Sequence, residues 1–165
     1  MEKKDLKPAG VFKYFEEICQ VPRPSKKEEK MIAYLKAFGA KHNLETKVDE
    51  AGNVLIKKPA TPGKENLQTV VLQSHIDMVC EKNNDVQHDF LTDPIETEID
   101  GEWLKAKGTT LGADNGIGVA TELAILADDS IEHGPLECLF VSRPEENDKE
   151  SYYIDNENTT TFDLG

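Results

Sequence analysis

A histidine and an aspartate stand one residue apart after an apolar run, and this pair could hold a metal ion. The run covers residues 70–74 and leads into His75, Ile76 and Asp77. Strand residues alternate between two faces, so His75 and Asp77 are expected to point the same way, with Ile76 turned away. A zinc-bound imidazole usually donates its other ring N–H to a carboxylate, which gives this spacing a chemical use. The alternative is a surface histidine beside an unrelated acid, since short motifs are weakly specific.

A glycine-rich turn supplies a second candidate, Asp114. The turn covers residues 108–118 and is followed by apolar residues at helical spacing. Glycines let the backbone approach a ligand closely, and a helix N-terminus offers N–H groups and a positive dipole end that hold a carboxylate in place. A phosphate loop is one alternative, although the stretch lacks the Gly-Lys-Ser/Thr ending and the Gly-x-Gly-x-x-Gly spacing. The other is that Asp114 caps the helix, a role compatible with metal ligation.

Two adjacent acids, Glu145 and Glu146, follow a predicted buried strand at residues 136–141. Adjacent carboxylates can divide their roles, one binding a cation while the other takes and returns a proton. Taken alone, the pair is better interpreted as solvated charge, because residues 145–150 are acidic and polar.

Taken together and in this order, these motifs resemble the two-zinc peptidases of the M20 group. The sequence resembles in particular the aminoacyl-histidine dipeptidases, also called Xaa-His dipeptidases or bacterial carnosinases. The similarity is close from the N-terminus to the strand at 136–141. Further stretches that carry it are residues 11–18, 21–25, 81–83, 88–90 and 93–95.

The resemblance implies a site for two zinc ions, with manganese or cobalt as alternative metals. It makes His75 a ligand of one ion and Asp114 the carboxylate that bridges both, about 3.5–4 Å apart in such sites. It makes Glu146 a further ligand. Asp155, which follows a short apolar run, is expected to be another.

Two residues receive catalytic roles from the same resemblance. Asp77 would orient His75, and Glu145 would be the general base that accepts a proton from the attacking water. The family usually carries an aspartate directly before its glutamate pair, whereas Arg143 and Pro144 stand there in this chain.

The order of predicted elements indicates an α/β fold, and the resemblance implies a three-layer mixed sheet flanked by helices. Helices are predicted at 8–18 and after a capping box at 25–28, with Met31, Ile32, Leu35 and Phe38 toward the core. Strands are predicted near 45–49, 54–57, 69–74 and 136–141, the third of these central, and a hairpin at 95–107. By resemblance, residues 1–165 form the N-terminal portion of a catalytic domain. The family's lid domain and its C-terminal segment, which supplies the last histidine ligand, lie beyond it.

Composition sets limits on location and partners. The chain has 165 residues, 38% of them hydrophobic, enough for one domain with a modest core. A net charge of −13 weighs against nucleic acid and anionic membranes as partners. No signal peptide or long apolar span is found. Cys19, Cys80 and Cys138 have no Cys-x-x-Cys spacing, which indicates reduced, mostly buried thiols in a cytoplasmic protein.

Cys80 lies close to the His75 strand and could be a soft ligand, but packing is the more usual role of a free cysteine. A monomer and a homodimer are both compatible with the sequence.

The predicted function is that of a zinc-dependent dipeptidase that hydrolyses Xaa-His dipeptides through a metal-activated water. One alternative is a folded, inactive remnant that binds metal weakly or acts as an interaction module. The other is a metal-dependent deacylase of the same superfamily.

Overall fold

The computed structural model describes residues 3–142 of the chain. Three of the candidate residues, Glu145, Glu146 and Asp155, lie outside the described residues. After a short 3-10 turn at Lys3–Asp5, the described part contains three helices and six strands. The helices are α1 (Ala9–Cys19), α2 (Glu29–Lys41) and α3 (Ala113–Ala127). The strands are β1 (Glu45–Val48), β2 (Val54–Lys58), β3 (Val70–His75), β4 (Thr97–Asp100), β5 (Trp103–Ala106) and β6 (Leu136–Val141).

Four strands form one mixed sheet in the order β1-β2-β6-β3. The β1–β2 and β2–β6 pairs are antiparallel, whereas β3 and β6 run parallel. In that parallel pair His75 is level with Val141, so both strands end at the same edge of the sheet. The predicted mixed α/β architecture is confirmed.

The three helices and one face of the sheet share a single core. Residues of β2 and β6 that face the helices, such as Ile56 and Phe140, are buried with Phe15, Leu35 and Leu123 from the three helices. The opposite face carries a smaller buried cluster of Leu55, Leu139 and Val141. Residues 3–142 therefore provide the sheet and one helical layer of the expected arrangement.

The start of α2 differs from the prediction. The helix begins at Glu29 with Glu28 at its N-cap, and no side chain caps it. The hydroxyl of Ser25, which the capping box assigned to this helix, donates to the carboxylate of Asp77. The reason is tertiary, because the backbone before α2 lies beside Met78, with Ser25 N–H donating to the Met78 carbonyl over 3.2 Å.

The position of β3 also differs, because it was expected in the centre of the sheet. Among the described strands it lies at the end, with β6 as its neighbour. Its first residues, Val70 and Val71, are exposed. The hairpin of β4 and β5 is paired as predicted, with Asp100 opposite Trp103.

The cysteines follow the sequence prediction. All three are free, Cys19 and Cys138 are buried, and Cys80 is half-buried. Burial raises the pKa of Cys19 to about 11, which keeps this thiol protonated at neutral pH. Within residues 3–142, no helix combines the length and apolarity needed to cross a membrane.

Candidate metal centre

His75 lies at the carboxyl end of β3 with a carboxylate on each ring nitrogen. Its Nδ1 is 2.9 Å from Oδ1 of Asp77, and its Nε2 is 3.0 Å from Oδ1 of Asp114. Ile76 is turned into the core and fully buried. Strand alternation predicted that His75 and Asp77 point the same way and that Ile76 points away from them, and the structure confirms it. The imidazole is 41% exposed, so a ligand can reach it from solvent.

Asp77 has partners for both of its carboxylate oxygens. Oδ1 faces His75, and Oδ2 accepts a hydrogen bond from the Ser25 hydroxyl. Only 9% of its side chain is exposed. A carboxylate held in this way fixes the ring of the histidine beside it and directs the other nitrogen outward.

Asp114 does not cap α3. Its backbone is extended, with φ −92° and ψ 109°, so regular helical geometry starts only after this point. Asn115 fills the capping role, because its Oδ1 accepts a hydrogen bond from Gly118 N–H over 3.2 Å. The Asp114 side chain is 97% exposed and faces His75. Its carboxylate is therefore open to a cation at the position where Nε2 also points.

Arg23 joins the two loops that carry these residues. Its buried guanidinium, 2% exposed, donates from Nη2 to the Gly112 carbonyl over 2.7 Å. Nη1 donates to the carbonyls of Ile76 and Asp77 over 3.2 and 3.3 Å. One side chain thus holds the end of β3 at a fixed distance from the turn that precedes α3.

Two glycines of that turn, Gly112 and Gly116, make room for Arg23. A Cβ atom built on Gly112 or on Gly116 would lie 2.6 Å from Nη2 of Arg23, and Gly112 also has a positive φ of 69°. Close approach was the expected reason for these glycines, but the group that approaches is a guanidinium of the same chain. The phosphate-loop alternative loses its main support, since contacts within the chain account for its glycines: Arg23 for Gly112 and Gly116, and Asn115 for Gly118.

Arg23 and Ser25 were not predicted from the sequence to have a role in the site. Arg23 stands between Pro22 and Pro24, just ahead of a helix, and a charged residue enclosed by prolines was the available signal. Their partners, Asp77 and Gly112, lie more than fifty residues away in sequence. Nothing in the local pattern pointed to those partners.

Glu122 is another buried acid, on α3 beneath β3. Its neighbour is Ser74, but Oε2 of Glu122 and Oγ of Ser74 lack hydrogen-bond partners of acceptable geometry within the described part. Burial raises the pKa of Glu122 to about 8, and the Ser74 hydroxyl only partly opposes this rise. The carboxyl is therefore mostly protonated at neutral pH.

The donors present suit a metal but do not complete its coordination. An imidazole nitrogen and a carboxylate are ordinary zinc ligands, and zinc sites use three or four protein ligands. Within residues 3–142, no three His, Cys, Asp or Glu side chains lie close enough to hold an ion. Cys80 points its Sγ at the Met78 carbonyl, 3.6 Å away. His75 and Asp114 thus fit part of a centre whose remaining predicted ligands fall outside the described residues.

A cavity of about 710 Å³ lies elsewhere, between the N-terminal turn and α1. Lys3, Gly10 and Glu16 line it, and it does not include the candidate metal ligands. The chemistry of His75 and Asp114, rather than concavity, marks the candidate centre.

Comparison with known proteins places these residues in context. Scanned against models of protein families, the chain matches none. It is 51% identical over 144 residues to the cytosol non-specific dipeptidase of Escherichia coli, a match that covers 87% of this chain and 30% of that protein. The crystal structure of an aminoacylhistidine dipeptidase from Vibrio alginolyticus is also 51% identical, with a TM-score of 0.84 over 91% of this chain and 30% of that one.

A more distant structure shares the fold. Aminopeptidase PepT from Bacillus cereus superposes with a TM-score of 0.66 at 23% identity, covering 81% of this chain and 36% of that chain. The chain spans about a third of the length of each of these proteins. In sequence and fold, the chain is therefore similar to about a third of each of these dipeptidases.

Proposed function

We propose that this chain provides the first part of a two-metal peptidase centre, and that the protein hydrolyses dipeptides of the Xaa-His type. The observation that carries the proposal is the position of His75. A shielded carboxylate lies on its Nδ1 and an exposed one on its Nε2. This is the arrangement of a metal-binding histidine with its orienting acid and a neighbouring ligand.

Each described residue would have a separate role in the centre. His75 would hold one ion through Nε2, and Asp77 would hold the ring of His75. Asp114, which does not cap α3, would be the carboxylate that bridges the two ions. Two zinc ions bound there would supply Lewis-acid polarisation of the scissile carbonyl and activate a water for attack. Manganese or cobalt would suit the same donors.

The sequence between β6 and the two glutamates is short. β6 ends at Val141, level with His75 on the neighbouring strand. Glu145 is the fourth residue after Val141, and four residues span at most about 14 Å at about 3.6 Å per residue. That reach supports Glu145 as the base that accepts the proton of the attacking water and returns it to the leaving amine. It also supports Glu146 as a ligand; Asp155 is proposed as a further one.

The relatives support the substrate class. The Vibrio protein is named an aminoacylhistidine dipeptidase and the Escherichia coli protein a non-specific dipeptidase of the cytosol. We infer a dipeptide substrate and a cytosolic location. We also infer that residues 1–165 correspond to the N-terminal portion of a catalytic domain, with a lid and the last histidine ligand supplied by other residues.

Zinc titration of the metal-free chain tests the proposal. Calorimetry is run on the wild type and on Asp114→Ala, with circular dichroism to confirm folding. Two tight sites in the wild type, reduced to one or none in Asp114→Ala, support a bridging carboxylate and justify a Xaa-His hydrolysis assay. Unchanged stoichiometry in Asp114→Ala would contradict the bridging role. Asp129→Ala is the matched control, because that side chain is 96% exposed and lies at the opposite end of α3.

One alternative function is favoured by a specific observation. Only two donors converge within residues 3–142, as expected for a folded scaffold that binds metal weakly or serves as an interaction module. One weak site, or none, on a folded chain would support that reading instead.

A further inference from the structure

We propose that Ser25 is a positioning residue that sets the tautomer of His75 through Asp77. This inference rests on the proposed function in one respect only, namely that Nε2 of His75 is a metal ligand. The order of contacts is Ser25 Oγ to Asp77 Oδ2, and Asp77 Oδ1 to His75 Nδ1.

Two carboxylates compete for the single N–H of a neutral imidazole. Asp77 faces Nδ1 and Asp114 faces Nε2, at nearly equal distances of 2.9 and 3.0 Å. A proton on Nε2 would block metal binding at that nitrogen, whereas a proton on Nδ1 leaves Nε2 with its lone pair free. The competition between the acids therefore decides whether His75 is ready to bind an ion.

The surroundings of the two acids favour Asp77. Its side chain is 9% exposed, while that of Asp114 is 97% exposed and competes through water. A hydrogen bond in a shielded site is stronger than one that water can replace. The backbone carbonyl of Asp77, 3.2 Å from Nδ1, favours the same tautomer, and the carboxylate adds to it only while Oδ1 stays in line with Nδ1.

Ser25 holds the carboxylate in that line. Two backbone hydrogen bonds hold the segment from Arg23 to Ser25 against Met78. Ser25 N–H donates to the Met78 carbonyl over 3.2 Å, and Met78 N–H donates to the Arg23 carbonyl over 3.0 Å. These bonds place the Ser25 hydroxyl next to Oδ2 of Asp77. The same segment is held in place by the Arg23 side chain, which donates to the carbonyls of Asp77 and Gly112. Removing the hydroxyl frees Asp77 to rotate about its side-chain torsions and weakens its hold on Nδ1.

The test compares Ser25→Ala with the wild type in the metal-free state. Nitrogen-15 NMR of the His75 ring, at a pH where the ring is neutral, measures which nitrogen carries the proton. We expect mostly Nδ1–H in the wild type and a shift toward Nε2–H in Ser25→Ala. Zinc calorimetry should show affinity about tenfold or more weaker in the variant, as for other losses of a group that orients a ligand. Thermal melting reports folding separately.

Matched variants isolate the hydroxyl. Ser25→Thr keeps it and should restore the wild-type tautomer and zinc affinity, whereas Ser25→Val has nearly the same shape as threonine without it and should behave like Ser25→Ala. This pair decides the question if the alanine variant folds poorly. Ser130→Ala removes another serine hydroxyl that donates to an aspartate, Asp128, over 2.6 Å, and should change neither reading.

The outcomes separate this inference from the proposed function. An unchanged tautomer in folded Ser25→Ala and Ser25→Val would overturn the positioning role, whatever the zinc affinity. If the wild type binds no zinc, the metal proposal fails, and the tautomer in the metal-free chain still decides the role of Ser25.

Discussion

Two buried acids, Asp77 and Glu122, differ in their hydrogen-bond partners. Asp77 has a hydroxyl on one oxygen and an imidazole nitrogen on the other. Glu122 is similarly shielded, but among residues 3–142 the hydroxyl nearest to it is that of Ser74, which is poorly aligned. A charge without partners is costly in a protein interior, so Glu122 keeps its proton instead.

Glu122→Gln should remove a pH-dependent penalty on stability. Because the pKa of Glu122 rises from 4.5 to about 8 on folding, the folded state binds the proton more tightly. The stability this contributes is fully present below about pH 4.5 and is lost as pH rises to about 8. Between pH 5 and pH 8, the free energy of unfolding of the glutamine variant should rise relative to that of the wild type by up to about a few kcal/mol.

Urea unfolding at several pH values measures this difference. Glu102→Gln, in the exposed turn between β4 and β5, is the control and should follow the wild-type curve. Wild-type and Glu122→Gln stabilities that run parallel from pH 5 to pH 8 would contradict the assignment.

At this scale, the sequence predicted the residues whose chemistry depends on near neighbours. The spacing of His75 and Asp77 follows from strand alternation, and the glycines before Asp114 marked a close approach. The roles of Arg23 and Ser25 were not predicted, because their partners are 52 to 89 residues away in sequence. Ser25 was assigned to a local cap, which is the expected reading when only neighbours in sequence are considered.

Between elements, Arg23 makes the start of α3 depend on the end of β3. Gly116→Ala should therefore destabilise the protein by about 1 kcal/mol or more, although alanine is the better helix former by about 1 kcal/mol. The added Cβ would lie 2.6 Å from Nη2 and push the guanidinium off the Gly112 carbonyl. Chemical denaturation gives the stability change, and zinc calorimetry should show weaker binding in the same variant.

Gly10→Ala is the matched control for this prediction. Gly10 is also helical, in α1, and a Cβ there would make an ordinary 3.6 Å contact with Ala124. This variant should be neutral or more stable by up to about 1 kcal/mol. Equal effects at the two glycines would rule out the steric role of Arg23.

The far end of α3 is held by β2 through Lys58. This buried lysine donates to the Asp128 carbonyl over 2.8 Å and to the Ile125 carbonyl over 3.4 Å, at the negative end of the helix dipole. Lys58→Met keeps the packing of the stem but loses both bonds, and should cost about 1–2 kcal/mol of stability in thermal or urea unfolding.

The neighbouring lysine gives the comparison. Lys57 points to the other face of the sheet and pairs with Glu137 over 2.8 Å in a partly exposed site. Such pairs contribute about 0–1 kcal/mol, so Lys57→Met should change stability less than Lys58→Met does. A reversed order would contradict the capping role of Lys58.

Element positions were predictable where the signal is local. Helical periodicity and strand alternation placed α1, β1, β2, β6 and the hairpin, since each depends on residues within a few positions. The position of β3 at the end of the described sheet was not predictable in this way. An apolar run such as Val70 to Leu72 has the same sequence pattern whether the strand has one neighbour or two. The number of neighbours depends on the rest of the sheet.

For the whole molecule, zinc should act as a stabilising ligand. A ligand that binds only the folded state at a hundred times its Kd adds about 2.7 kcal/mol. For a chain of this size that corresponds to a rise in Tm of about 5–10 °C. Differential scanning calorimetry should show the rise in the wild type and little of it in Asp114→Ala. An equal rise in both would indicate binding elsewhere.

The contacts that build the candidate centre also bear on the order of folding. Arg23 must meet carbonyls 53, 54 and 89 residues further along, and His75 must meet Asp114 across 39 residues. Closing such long loops costs entropy that local hairpins and helices do not incur, so these contacts form late. During synthesis, Arg23 has no Gly112 to bind until most of the described chain has emerged. The chain would then acquire its zinc affinity only after the helices and hairpins have formed. Zinc binding would therefore report the last stage of folding.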